Sequence, residues 1–147
     1  VVGDPTPEFR ADVEKLCVQD PWIQEHLVLY GRMSDRKELY ELYVRAKIMC
    51  MTSRSEGFPI SAVEAIYFGD YLVLTNFGSA IHDLTGGGLY GTIVPQEDAG
   101  ALADAWEMAA EREDLPALSE KIQAFARSAF SYDYWTAKLD EYLMKLR

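Results

Sequence analysis

Two carboxylates stand out in this chain of 147 residues for the chemistry they could do. Glu56 and Glu64 bracket a Gly-Phe-Pro turn within "SRSEGFPISAVEAIYFG", Ser53 to Gly69. Gly57 permits a sharp turn and lets a ligand approach the backbone closely. Pro59 suits the first turn of a helix, whose N–H groups make a ready site for phosphate. Proline itself donates nothing, so Gly57, Phe58 and Ile60 are the donors expected there. Glu64 is expected about two turns further along, on the same broad side. A carboxylate accepts from two vicinal hydroxyls at once, and charge-assisted hydrogen bonds are the strong kind. A phosphate site flanked by two carboxylates therefore suits a nucleotide-sugar, with diphosphate in the middle, ribose on one side and hexose on the other. A plainer reading stands beside this one. Ser53-x-x-Glu56 and Ser61-x-x-Glu64 both have the spacing of a helix capping box.

The elements that must position these groups alternate along the chain. "VVG" reads as a strand end, Pro7 to Gln19 as a helix with Phe9, Val13, Leu16 and Cys17 on one face, and "HLVLYG" as a short strand. Ser34 or Asp35 can cap a second helix, where Glu38 completes a capping box with Asp35, followed by the strand "KIMCMT", the helix "PISAVEAIYFG" closed by Gly69, and the strand "YLVLTN". "SAIHDLT" suggests a short helix and "GTIV" a strand; from Asp98 onward the chain reads as helix. Short apolar strands separated by helices predict an α/β fold, a parallel sheet covered on both faces. The strands are expected near Val1–Gly3, Leu27–Tyr30, Ile48–Thr52, Leu72–Thr75 and Thr92–Val94. In such sheets ligands bind beyond the carboxyl ends of the strands, which is where Glu56 and Gly57 fall.

Composition narrows the partners. With 49% hydrophobic and 26% charged residues the chain reads as one globular domain spanning residues 1–147. A net charge of −10, concentrated in acid between Glu97 and Glu120, disfavours nucleic acid. Cys17 and Cys50 read as buried, reduced thiols of a cytoplasmic protein. His26 and His82 lie near no cluster with metal-ligand spacing, and no Asp-x-Asp occurs, so no metal or other cofactor is expected. "TGGGLYG" does not follow a strand as a dinucleotide fingerprint would.

The stretch "YELYVRAKIMCMTSRSEGFPISAVEAIYFGDYLVLTN" resembles the C-terminal half of the retaining GT-B glycosyltransferases of family 4. The resemblance rests on Glu56-Gly57-Phe58-Pro59 with Glu64 after seven further residues, on "AIYFG", and on "GLYGTIVPQEDAGALADAW". It implies a Rossmann-like donor-binding domain that lacks its first strand and belongs to a two-domain enzyme. That enzyme would transfer a hexose from a nucleotide-sugar to a saccharide or lipid-linked acceptor with retention. Glu56 would contact the donor sugar as the catalytic carboxylate and Glu64 the ribose hydroxyls. The amides around Phe58, Pro59 and Ile60 would face sugar or phosphate. Gly31, Arg32 and Met33 would line the base pocket. The implied partners are the nucleotide-sugar, an acceptor-binding N-terminal domain and, for the full enzyme, a membrane surface in peripheral contact. This chain alone is expected to be inactive.

Two departures qualify the resemblance. Where the family carries Gly-Gly-x-x-Glu, this chain has Ser79-Ala80 and then Asp83. The family's diphosphate-binding Arg and Lys precede the stretch that "VVGD" matches. Two rival readings are a non-catalytic nucleotide- or sugar-binding module on the same scaffold and half of a sugar-nucleotide epimerase.

Overall fold

The computed structural model describes residues 1–78 and 80–145. The chain divides into two compact units, Val1–Leu42 and the remainder from Tyr43 onward.

In the first unit, helix α1 (Pro7–Gln19) starts as its sequence requires. Pro7 opens the first turn, and the Thr6 hydroxyl accepts from the Phe9 N–H at 3.2 Å. Asp20 ends α1 and caps α2 (Pro21–His26). Its N–H donates to Leu16 O at 2.8 Å, and its carboxylate accepts from the Trp22 N–H at 3.0 Å. The strands expected at Val1–Gly3 and Leu27–Tyr30 reduce to one parallel bridge, Val2 to Gly31. Gly3 and Gly31 both have positive φ, +128° and +68°, which takes the backbone out of the extended region after a single pair. None of the described residues of this unit is buried.

Helix α3 (Arg36–Arg45) carries the boundary between the units. Asp35 accepts from the Lys37 N–H at 2.8 Å. Strand β1 (Ile48–Met51) then pairs in parallel with β2 (Tyr71–Thr75), Ile48 opposite Tyr71, and β2 pairs in parallel with β3 (Gly91–Val94), Leu72 opposite Gly91. The order β1-β2-β3 places β2 in the centre. All five of its residues are buried, Tyr71, Val73 and Thr75 on one face and Leu72 and Leu74 on the other, so both faces are covered.

Helices α4 (Ile60–Phe68), α6 (Ala99–Ala110) and α7 (Leu115–Ala129) all pack on β2. Alanines at the contacts, Ala62 and Ala65 of α4 and Ala105 and Ala109 of α6, let helix and sheet approach closely. The α7 stripe Leu115, Leu118, Ile122 and Ala126 follows helical spacing and is buried. Gly69 ends α4 at φ +93°, and a Cβ there would stand 2.0 Å from Ser119 Oγ, so any other residue is strained at this cap and crowds α7. Short α5 (Ala80–Leu84) buries Ile81 and Leu84, whereas α8 (Tyr132–Lys145) buries none of its described residues. Cys17 is half-buried and Cys50 is exposed, against expectation. Cys50 lies on β1, an edge of the three-stranded sheet, and an apolar run on an edge is not covered as a central strand is.

Candidate functional site

Beyond Met51 the chain runs through residues 52–59 before α4 begins at Ile60. Pro59 is the cap residue, not the first helical residue, so Glu64 sits roughly one turn into α4 instead of two. Pro59 offers no side-chain cap. Its carbonyl accepts from the N–H groups of Ala62 (3.0 Å) and Val63 (3.3 Å). Helix geometry leaves the N–H groups of Ile60 and Ser61 without intrahelical acceptors, directed out of the helix start. Phe58 and Ile60 are exposed and Pro59 is buried, so the turn is anchored by its proline. Phe58 leans on Phe130, ring centroids 6.2 Å apart, and Phe130 meets Phe125 edge-on at 5.8 Å.

Neither capping box forms. Ser53 precedes the helix by a full loop, and its hydroxyl donates to the carboxylate of Glu56 at 2.6 Å. Ser61 is the second residue of α4, inside the helix. Glu56 and Glu64 are both half-buried.

The loops at the carboxyl ends of the three strands are tied to one another. The Thr75 hydroxyl, at the end of β2, donates to Ser53 O at 2.6 Å. The side-chain amide of Gln96, two residues past β3, donates to Arg54 O at 2.8 Å and to Asn76 O at 2.6 Å. Arg54 pairs with Glu97 at 3.2 Å, and Glu97 adopts φ +58°, the positive-φ position among the described non-glycine residues. A cleft of about 280 Å³ opens here, lined by Thr52, Arg54, Thr75, Gln96, Glu97 and Asp98 with the start of α6. Neither Glu56 nor Glu64 lines it. Gly57, Phe58, Pro59 and Ile60 form one continuous turn with Glu56. Gly31, Arg32 and Met33 belong to the first unit, where Arg32 is exposed and Gly31 and Met33 are half-buried. Asp83 stands in α5, exposed, and Ser79 lies outside the described residues.

Sequence reasoning missed three side chains that shape this end of the sheet. Ser53 was visible only as a capping-box partner, Thr75 as an apolar strand's last residue, and Gln96 not at all. It also missed Asp70, immediately before β2, which is 1% exposed and whose Oδ2 has no hydrogen-bond partner among the described residues. Burial pushes its carboxyl up to about 7. No helix among the described residues is long and apolar enough to cross a membrane.

The comparisons with known proteins converge. A family model described as glycosyl transferases group 1 matches residues 9–128. Over 104 residues the chain is 30% identical to an uncharacterized 41.2 kDa protein in the cps region of Klebsiella pneumoniae, covering 71% of this chain and 26% of that protein. A glycosyltransferase from Rickettsia africae superposes with TM-score 0.73 at 23% identity, over 95% of this chain and 37% of that one. Anabaena Alr3699/HepE in complex with UDP superposes with TM-score 0.73 at 21% identity, over 98% and 40%, and the same protein has also been solved with UDP and glucose. The chain thus spans well under half the length of each of these proteins. The three-stranded parallel sheet and its helices align with part of the GT-B glycosyltransferase fold.

Proposed function

Because the chain belongs to the glycosyl transferases group 1 family, we propose that it holds the nucleotide-sugar from which the full protein transfers a hexose, with retention, to a saccharide or lipid-linked acceptor. The observation that carries this reading is the start of α4. A helix with no side-chain cap follows the loop at the carboxyl end of β1, with Glu56 before it and Glu64 one turn inside it. The N–H groups of Ile60 and Ser61 and the positive end of the helix suit a diphosphate and stabilise the charge that grows on it as the sugar departs. Glu56 accepts hydrogen bonds from hydroxyls of the hexose. Glu64 accepts from the ribose diol. That the structural relative HepE has been solved with UDP and with UDP and glucose supports this ligand class.

The test uses the natural full-length protein. Calorimetry with UDP, GDP and ADP identifies the base, and Glu64→Ala is expected to weaken the preferred nucleotide about ten- to a hundredfold, the worth of one charge-assisted hydrogen bond. Glu56→Ala is expected to lower hexose transfer by about a thousandfold, to a residual rate that can still be measured, and to spare nucleotide binding. Nucleotide affinity indifferent to Glu64 would remove the site from this helix. Nucleotide binding with no transfer to any saccharide or lipid-linked acceptor would favour a binding module instead.

A further inference from the structure

We propose that Ser53 is a positioning residue for Glu56, itself held by Thr75, so that the carboxylate meets the donor sugar in one orientation. This rests on Glu56 being the sugar-facing carboxylate. The tether is two hydrogen bonds anchored at the end of β2. Thr75 closes the fully buried strand β2 and is 6% exposed. Its hydroxyl donates to the backbone carbonyl of Ser53 at 2.6 Å, and the Ser53 hydroxyl donates to Glu56 Oε1 at 2.6 Å.

A hydroxyl has one proton to give. Thr75 commits its proton to backbone and Ser53 commits its proton to the carboxylate, so the direction of the relay is settled. The neighbouring carbonyl, Arg54 O, is fixed at the same time by Gln96 from the end of β3. Two adjacent peptide units of the loop are therefore held by the ends of the other two strands, and the second of the tether's hydroxyls transmits that rigidity to a flexible side chain. With Oε1 engaged, Oε2 is the oxygen that accepts from a ligand hydroxyl. A carboxylate held in advance loses no rotamer freedom when the sugar reaches its reactive geometry. The local sequence Ser-x-x-Glu, which would cap a helix if the helix began there, instead spans an open loop and turns serine toward the acid.

The experiment is a double-mutant cycle in the natural full-length enzyme, reading transfer, nucleotide affinity and thermal unfolding. Ser53→Ala is expected to lower kcat about tenfold and to change affinity for the preferred nucleoside diphosphate by less than about twofold. Ser53→Thr keeps the hydroxyl and is expected to recover most of the rate. In a Glu56→Ala background Ser53→Ala should cost nothing further, because the group it orients is gone. Full turnover by Ser53→Ala beside a Glu56→Ala slowed by about a thousandfold overturns the positioning role and leaves the reading of Glu56 intact. Full turnover by Glu56→Ala overturns both. Loss that threonine does not rescue, or equal loss with and without Glu56, makes Ser53 merely structural and overturns the proposal. Should Ser53→Ala not fold, Thr75→Val tests the same relay one link earlier. A fall of about threefold in kcat with nucleotide affinity kept is then expected, and unchanged turnover overturns it.

Discussion

The two ends of strand β2 treat a carboxylate in opposite ways. At the carboxyl end Thr75 and Ser53 reach Glu56, and the acid receives a hydroxyl at 2.6 Å while remaining half-buried. At the amino end Asp70 is buried between the Gly69 cap and the first residue of the strand, and its Oδ2 receives no hydrogen bond from the described residues. The first arrangement gives the carboxylate a hydroxyl partner and leaves it within reach of a ligand. The second penalises a negative charge wherever the pH allows it to form. The strand is the same in both cases, and its flanks make the difference: an open loop lies beside one carboxylate and a tight helix cap beside the other.

The largest expected effect tests the amino end. Folding raises the Asp70 carboxyl from 3.8 to about 7. Its contribution to stability is therefore complete below about pH 4 and is lost as the pH climbs through 7. The loss amounts to as much as about 4 kcal/mol between those limits. Asp70→Asn should flatten this part of the profile, leaving the variant more stable than the wild type at pH 8 and no more stable at pH 4. Urea unfolding at several pH values checks it, and parallel profiles for the two proteins would mean that Asp70 is ionised or solvated after all.

Next comes Gly69→Ala, at the same end. It forces a side chain onto φ +93° and into Ser119, for an expected cost of about 2–3 kcal/mol by chemical denaturation. A smaller loss would show that α7 can withdraw from α4. At the carboxyl end the individual links are weaker. Thr75→Val keeps the shape and removes the hydroxyl, and should cost about 1 kcal/mol of stability. The smallest effect belongs to Arg54→Ala, which breaks an exposed pair with Glu97. Its expected cost is under about 0.5 kcal/mol, diminishing with added salt. If this last substitution proved as costly as the one at Gly69, the contrast between a rigid amino end and a modestly braced carboxyl end would fail.

Much of the scaffold was legible because local chemistry and tertiary fate agree there. Pro7 opens α1, Asp98 starts α6, Gly69 ends α4, and the runs "IMCM", "YLVLT" and "GTIV" become β1, β2 and β3. Apolar character alone misled where cover was assumed. Cys50 looked like core and lies exposed on an edge strand, and the residues before Gly3 and Gly31 looked like strands but pair only once. The turn of Glu56 to Ile60 was readable from Gly57 and Pro59. The role of Ser53 was not, since Ser-x-x-Glu has one spelling whether serine meets an amide or an acid, and only the position of the helix start decides. Asp70 carries no pattern at all; after a glycine it reads as an ordinary turn residue.

The parallel register of the sheet has a consequence for how the molecule is made. Ile48 pairs with Tyr71 and Leu72 with Gly91, so its contacts join segments only about twenty residues apart. All three strands emerge from the ribosome before α7, which follows Val94 in the chain, has emerged. Until Leu118 and Ile122 arrive, the apolar surface they will cover on α4 and β2 faces water in the nascent chain. The order of synthesis therefore builds the loop that bears Glu56 before it completes the core that holds it in place.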